Sequence, residues 1–197
     1  LRSRRRLTDG DKLRGAILLL AAGASTRFGS DKRKLLFDET PLLNYAVALY
    51  TRVCPRVLVV VRPGEESIQG LVDGSCEWVV AEDANLGMSR SIAAGIKALG
   101  VAPWVIIGLA DMPYVSPDTV VRIARALDAG AAIARPCYRG RSGNPVGFND
   151  RFFGSLSKLD GDRGAHTLIE GHIGDVLDVE VNDQGIFRDI DRPEDMV

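Results

Sequence analysis

Two stretches of the sequence carry residues whose types and spacing suit the binding of phosphates. In the first, LLLAAGASTRFGSDKRKLL at residues 18–36, a buried-strand pattern leads into small residues and then into the bases Arg27, Lys32, Arg33 and Lys34. Backbone N–H groups in a turn of small residues can approach a ligand closely, and cations beside them suit a polyphosphate. The stretch matches neither a P-loop nor a GxGxxG turn. It is equally typical of an ordinary strand-to-helix turn with a solvated basic face.

The second stretch is VIIGLADMP at residues 105–113, where Asp111 follows an apolar run and Pro113 ends it. A carboxylate at the end of a strand can hold Mg²⁺, which favours one or two carboxylates and completes its octahedron with water and phosphate oxygens. Asp111 alone could equally cap a turn. The two stretches together offer a cationic loop for phosphates and a carboxylate for their metal ion.

An alternation of apolar runs and helical patterns must position these residues. Strands are predicted at residues 16–22, 56–61, 77–81, 104–109, 131–138, 145–148 and 176–181, and helices at residues 41–53, 89–99 and 117–129. Thr40 and Ser116 are the expected caps of the first and last helices, and Gly100 is expected to end the second. The alternation predicts a three-layer α/β/α, Rossmann-like fold with a mostly parallel sheet, in which ligands bind at the carboxyl ends of the strands.

Composition limits the classes of function. The chain has 197 residues, 46% of them hydrophobic, with 25 Lys and Arg against 26 Asp and Glu. One folded domain is predicted at residues 16–197, after a basic arm at residues 1–15 that is disordered or a remnant of cloning. The near-neutral charge argues against nucleic acid or a membrane surface as a partner, since such proteins need a large excess of positive charge. Cys54, Cys76 and Cys137 form neither a disulfide framework nor a zinc motif, which fits a reducing cytoplasm.

Six blocks in order along the chain resemble the MobA-like nucleotidyltransferases. They are LAAGASTRFG with Lys34 before a Leu pair, AEDANLGMSRSIAAGI at 81–96, ADMP at 110–113, GRSGNPVGF at 140–148, LDGDRGAHTLI at 159–169 and DIDRPEDM at 189–196. Three residues depart from the family pattern. Phe28 replaces Met, Asn144 stands where many members have His, and Arg192 replaces Thr. The resemblance implies a fold of the nucleotide-diphospho-sugar transferase type.

Within that family the sequence is most similar to the MocA-type molybdenum cofactor cytidylyltransferases. Members with LAAG rather than LAGG are associated with CTP, and Ala22 stands at the differing position. The resemblance implies transfer of CMP from CTP to the terminal phosphate of a molybdenum-pterin cofactor, with Mg²⁺ as cofactor and pyrophosphate as product. It also implies transient contact with the molybdenum hydroxylases that use the product.

The resemblance further implies catalytic and metal-binding roles for individual residues. Arg27 and Lys34 would place positive charge between the reacting phosphates, and Asp111 with Asp191 would hold the metal ion. Lys32 is the rival of Lys34, which is favoured because it directly precedes the Leu pair. Asp189 is the rival of Asp191.

Binding roles follow in the same way. The nucleotide is expected to contact Ala21, Ala22, Gly23, Asn85, Gly87 and Ser89, although a turn and a helix cap would also explain Asn85 and Gly87. Asn144 and Asp162 are assigned to the acceptor substrate. Asp162 could instead cap a helix that begins near Arg163.

The implied chemistry needs no protein nucleophile or general base, because a phosphate monoester is already largely ionised at neutral pH. This agrees with a chain whose two histidines, His166 and His172, are expected to be structural. Two alternatives remain. One keeps the fold but changes the acceptor to another small phosphate, such as a phospholactate, a sugar phosphate or methylerythritol phosphate, with CTP or GTP as donor. The other is a non-enzymatic chaperone that hands the finished cofactor to a molybdenum hydroxylase.

Overall fold

A computed structural model of the chain describes residues 13–23, 31–192 and 195. Its strands and helices follow the predicted alternation. In chain order they are β1 (Ala16–Leu20), β2 (Leu36–Phe37), β3 (Thr40–Pro41), α1 (Leu42–Thr51), β4 (Val57–Val61), β5 (Glu77–Val80), α2 (Met88–Leu99), β6 (Trp104–Leu109), α3 (Pro117–Asp128), β7 (Ile133–Tyr138), β8 (Arg141–Ser142), β9 (Val146–Asn149), α4 (Phe153–Leu156), α5 (His166–Gly171) and β10 (Val176–Glu180).

Eight strands of the described residues form one mixed sheet, in the order β10-β7-β9-β6-β1-β4-β5 with β8 paired to β7. β6, β1, β4 and β5 run parallel, whereas β9 runs antiparallel to both β6 and β7. The mostly parallel sheet is therefore confirmed. The reversed strand β9 brings the residues that precede it to the same edge as the carboxyl ends of its neighbours.

Helices cover both faces of this sheet, which confirms the three-layer architecture. One core packs α1 and α3 against residues such as Ile17 and Ile106, and the other packs α2 and α4 against Leu18 and Val105. Successive residues of a strand point to opposite faces, so β1 and β6 are apolar throughout because both faces are covered. Every residue of β1 is buried.

The three predicted helices are found within two residues of their expected bounds, and two of the three expected end signals hold. Ser116 caps α3 by accepting a hydrogen bond from the Asp118 backbone, and Gly100 ends α2 with a φ of 63°. The expectation of a Thr40 cap on α1 is wrong, because Thr40 lies in β3 and Pro41 occupies the cap position with no side-chain hydrogen bond. At the start of the helix the Leu42 N–H donates instead to the Leu35 backbone carbonyl at 2.8 Å.

The ordered fold begins before residue 16, the expected boundary. Leu13 is buried in the core that contains α1 and α3. Gly15 lies so close to Trp104 that a Cβ there would be 2.1 Å from the indole ring. Residues 13–15 are thus part of the packed domain, and residues 1–12 lie outside the described part of the chain. Among the helices of the described residues, none is long and apolar enough to span a membrane.

Candidate active site

The residues of one cleft lie at the carboxyl ends of three neighbouring parallel strands. Ala21 directly follows β1, Arg62 directly follows β4, and Asp111 lies two residues after β6. Because β1 lies between β4 and β6, these positions stand side by side at the carboxyl edge of the sheet. They line a cavity of about 390 Å³, whose walls also include Ala22, Gly23, Lys32, Asn85, Gly87 and Asp162.

Lys32 occupies the centre of the charged end of this cavity. Its Nζ donates to Asp111 Oδ2 at 2.6 Å, to the Ile190 carbonyl at 3.1 Å and to Asp191 Oδ1 at 3.3 Å. Burial alone would lower the pKa of Lys32, but the charges and hydrogen bonds of Asp111 and Asp191 outweigh burial and raise it. Lys32 therefore remains a cation at neutral pH, held at a defined position between two carboxylates.

Asp191 lies beside Lys32 because hydrogen bonds hold the C-terminal segment, residues 183–191, at the carboxyl edge of the sheet. The Ile190 N–H donates to the Asp111 carbonyl at 2.8 Å. At the start of the segment, Asp183 accepts hydrogen bonds from the Ser116 N–H at 2.8 Å and from the Thr119 hydroxyl at 2.6 Å. Of the two rival acids it is Asp191 that approaches Lys32, whereas Asp189 is exposed.

The two carboxylates are the residues that could hold a divalent metal ion. Of the residues that the structure describes, no group of three or more His, Cys, Asp or Glu side chains has a suitable arrangement. Mg²⁺, however, needs only one or two protein carboxylates when phosphate and water oxygens complete its shell. Asp111 Oδ1 is buried with no hydrogen-bond partner among the described residues. It is therefore an acceptor oxygen left available for a cation, so Asp111 with Asp191 fits such an ion.

Lys34, the base favoured from the sequence, lies outside the cleft. Lys32–Lys34 form a short 3₁₀ turn, in which side chains two residues apart point in different directions. Arg33 is buried, Lys32 enters the cavity and Lys34 is exposed to solvent. Of the two rival lysines, Lys32 lines the cavity and Lys34 does not. Arg27, the other predicted catalytic base, lies outside the described residues.

The residues that directly follow β1, Ala21, Ala22 and Gly23, line the cleft. Ala21 continues the strand, since its N–H donates to the Val60 carbonyl at 2.9 Å. Its own carbonyl accepts a hydrogen bond of 2.8 Å from Arg33. Among the described residues, a Cβ at Gly23 would meet nothing within 4 Å. A ligand can therefore approach this backbone closely.

Asn85 and Gly87 also line the cleft, but Ser89 does not. Ser89 is fully buried, and its hydroxyl donates to the Gly164 carbonyl at 3.3 Å. Ser89 lies one residue inside α2 and packs within the fold, so it is not among the described residues that line the cleft where its contact with nucleotide is expected. Gly87 has a φ of 125°, and a Cβ there would lie 2.5 Å from the Gly161 carbonyl. Only glycine fits this backbone and this contact.

Asp162 lies in the cleft wall, in the loop that Gly87 and Ser89 hold against α2. It does not cap a helix, because α5 begins at His166 and its N-cap residue, Ala165, makes no side-chain cap hydrogen bond. The alternative role considered for Asp162 is therefore wrong. His166 and His172 lie on the exposed surface around α5, where His166 contacts Glu170 at 3.3 Å.

A second cavity of about 350 Å³ adjoins the first and shares Met88 and Leu109 with it. Asn144, the predicted acceptor-side residue, lines this second cavity rather than the first. Its floor is apolar, and Arg135 and Arg163 stand among its polar lining residues. The two assigned acceptor residues thus face different cavities, Asp162 the first and Asn144 the second.

Two cationic residues of the cleft were not identified from the sequence. Arg33 was noted only as part of a basic run, and Arg62 was not noted at all. The signal for Arg62 is its position directly after a buried parallel strand, the same signal that identified Asp111. Arg33 gives no such signal, because its burial depends on Ala21 and Glu65 as well as on its neighbour Asp31.

The fold and the site define a Rossmann-like α/β protein with cations and carboxylates at the carboxyl edge of its sheet. Residues 17–176 match the family of the MobA-like NTP transferase domain. This chain belongs to that family.

Curated relatives include the probable molybdenum cofactor guanylyltransferases of Chloroflexus aggregans and Deinococcus radiodurans. The first is 31% identical over 124 residues, which are 61% of this chain and 57% of the relative. The second is 28% identical over 130 residues, 66% of this chain and 63% of the relative. The chain therefore spans about three-fifths of the length of these relatives.

Among solved structures, the Mycobacterium tuberculosis rv0371c homolog from Mycobacterium sp. strain JC1 superposes with a TM-score of 0.83. It is 28% identical in sequence, and the match covers 93% of both chains. The architecture is thus shared over nearly the full length of both proteins.

Proposed function

We propose that this protein transfers a nucleoside monophosphate from a nucleoside triphosphate to the phosphate of a molybdenum-pterin cofactor, with release of pyrophosphate. The observation that carries the proposal is Lys32, held between Asp111 and Asp191 in a cavity at the carboxyl edge of the sheet. Membership of the MobA-like family supports nucleotidyl transfer, and the names of the two curated relatives support the molybdenum cofactor as acceptor.

The order of the strands supports a layout for the two substrates. Asn144 and the second cavity lie on the β9 side of Asp111, whereas Ala21 and then Arg62 lie on the other side. Strands are spaced about 4.8 Å apart, so Arg62 stands roughly 10 Å from Asp111 along the edge. We place the α-phosphate at Asp111, the sugar and base toward Arg62, and the acceptor in the second cavity.

Electrostatics is the chemistry that these residues supply. The acceptor phosphate must approach the α-phosphorus in line with the departing pyrophosphate, and the two anions repel each other. Lys32 would place positive charge between them, together with Arg27, which lies outside the described residues. Mg²⁺, when bound to Asp111 and Asp191, would supply Lewis acidity and further charge neutralisation. Positioning and charge are sufficient for this reaction class, in which the protein does little covalent chemistry.

For the nucleotide we propose CTP, on the basis of Ala22 in LAAG. The competing donor is GTP, which the names of the curated relatives favour. Arg62 does not decide between them, since a guanidinium offers only donors and both bases present acceptor atoms. The two donors therefore have to be compared directly.

For the acceptor we propose the second cavity as the pterin pocket. Its apolar floor suits a fused planar ring, and the anionic parts of the cofactor would compete with Asp178 for Arg135 and with Glu170 for Arg163. The product would pass to a molybdenum hydroxylase in a transient contact.

Pyrophosphate release tests the proposal. Purified protein is incubated with Mg²⁺, molybdenum-pterin cofactor and each of CTP, GTP, ATP and UTP in turn. We expect release with CTP that depends on the cofactor. Equal release with GTP would contradict the choice of nucleotide but not the reaction class. Cofactor binding without pyrophosphate release from any nucleotide would instead favour a non-enzymatic chaperone.

A further inference from the structure

Arg33 is a buried arginine whose guanidinium is fully satisfied. The residue is 5% exposed. Its Nε and Nη2 bond to Asp31 at 2.7 and 3.0 Å, and its Nη1 and Nη2 bond to Glu65 at 2.6 and 2.7 Å. Nη1 also donates to the Ala21 carbonyl at 2.8 Å. All five N–H groups of the guanidinium are therefore used, in two forked carboxylate contacts and one contact to the backbone.

These contacts join three segments that line the nucleotide cleft. Ala21 lies at the carboxyl end of β1, and Glu65 belongs to the loop after β4. Asp31 begins the turn that carries Lys32 into the cavity, and its side chain also accepts from the Arg33 N–H at 3.2 Å. One side chain thus sets the relative positions of the β1 loop, the β4 loop and the turn that presents the central cation.

Glu65 extends the arrangement to a second arginine of the cleft. It accepts hydrogen bonds from the Arg62 N–H at 3.1 Å and from Arg62 Nη2 at 2.8 Å. The Arg62 side chain, which lines the cavity on the side away from Asp111, is consequently held by the same carboxylate that holds Arg33. Arg33 and Glu65 together fix cations at both ends of the proposed nucleotide site.

The charges of this cluster are balanced, which explains why it can be buried. Two arginines face two carboxylates. Burial alone would lower the pKa of Arg33, but its hydrogen bonds to Glu65 and Asp31 outweigh burial and raise it. Burial alone would raise the pKa of Glu65, yet hydrogen bonds from Arg33 and Arg62 lower it to about 2. Removing one member would leave an unpaired charge beside the cleft.

We propose that Arg33 is a positioning residue for nucleotide binding, which holds Ala21, Lys32 and Arg62 in the geometry that receives the triphosphate and the nucleoside. The inference rests on the proposed function of the cleft. Arg33 itself touches neither substrate in this account. A lysine could keep the charge, but it offers three donors from one atom and cannot form the two forks.

The test compares Arg33→Lys and Arg33→Met with matched changes at Arg122, whose exposed side chain pairs with Asp118 on the surface of α3. Nucleotide affinity is measured by calorimetry, and kcat and KM by pyrophosphate release, all well below the melting temperature of each variant. We expect kcat/KM for the nucleotide to fall about 10- to 100-fold in Arg33→Lys, mainly through KM, and to stay within about twofold in the Arg122 variants.

If Arg33→Met does not fold, Glu65→Gln takes its place, because it removes one fork of Arg33 and the support of Arg62. Raised KM in Glu65→Gln supports the proposal. Folded Arg33 variants with wild-type KM and kcat but a lower melting temperature would overturn it, since a merely structural role has that signature. A wild-type protein that binds no nucleoside triphosphate would instead overturn the proposed function itself.

Discussion

Lys32 is expected to contribute far more to turnover than Lys34, the solvent-exposed lysine of the same turn. Replacing Lys32 by Ala removes the cation between Asp111 and Asp191, so the phosphates would lose an electrostatic stabiliser. We expect kcat to fall about 100-fold or more, measured by steady-state pyrophosphate release. Lys34→Ala is the matched control, because Lys34 is exposed. A larger loss in Lys34→Ala than in Lys32→Ala would contradict the assignment.

Glu65 makes the stability of the domain depend on pH in the acid range. Its pKa in the folded protein is about 2, below the ordinary value of 4.5, so the ionised form stabilises the native state. That contribution is complete above about pH 4.5 and is lost as the pH falls toward 2. Replacing Glu65 by Gln removes this contribution to stability. We expect this variant to unfold at lower urea concentration than wild type at neutral pH.

The difference between Glu65→Gln and wild type should narrow as the urea titration is repeated at progressively lower pH. Glu77→Gln serves as control. Glu77 pairs with Arg56 at the surface and its side chain is 52% exposed, and such pairs contribute little to stability. A Glu65→Gln difference that is constant across the acid range would show that the ion pairs of Glu65 do not stabilise the fold.

At the level of helices and loops, the junction between β5 and α2 depends on Gly87. Its positive φ and its contact with the Gly161 carbonyl leave no room for a side chain. Gly87→Ala should therefore lower the free energy of unfolding by about 1–3 kcal/mol. It should also raise KM for the nucleotide, since Gly87 and Asp162 both line the cleft.

Thermal unfolding and nucleotide titration of Gly87→Ala provide the measurement. Gly74→Ala is a suitable control, because a Cβ at Gly74 would meet nothing within 4 Å. Equal melting temperatures for Gly87→Ala and Gly74→Ala would contradict this prediction. They would show that the loop at residues 159–164 can move away from α2 without loss of stability.

The regular elements could be predicted because their patterns are local. β1 and β6 are apolar on both faces, and Ser116 with Pro117 marks the start of α3. The direction of β9 could not be predicted, since it depends on how a short strand pairs with two distant ones. The two-residue strands β2, β3 and β8 are too short to show any period.

The site was predictable where a residue lies within two positions of the end of a buried strand, as Asp111 and Ala21 do. It was less predictable where the direction of a side chain decides the role. Lys32 and Lys34 are two residues apart in a turn, and family spacing alone favoured the exposed one. Ser89 stands in a matching motif, yet the first turn of α2 directs it into the core. Neither outcome depends on composition or periodicity.

Across the domain, the carboxyl edge is arranged as a line of sites, from the second cavity through Asp111 and Ala21 to Arg62. A nucleotide that binds the native state raises the melting temperature by mass action. We expect CTP with Mg²⁺ to raise it more than GTP at the same concentration, measured by differential scanning fluorimetry. A larger rise in melting temperature with GTP would indicate GTP as the donor, in agreement with the names of the curated relatives.

The central claim, nucleotidyl transfer at Asp111, is tested most directly by pyrophosphate release from wild type and Asp111→Asn in parallel. The substitution keeps the shape of the side chain but removes the charge that faces Lys32 and would hold the metal ion. We predict release by wild type that requires both nucleotide and molybdenum-pterin cofactor, and at least a roughly 100-fold loss in a folded Asp111→Asn protein. Equal release by the two proteins would contradict the account, as would no release by wild type with any nucleotide.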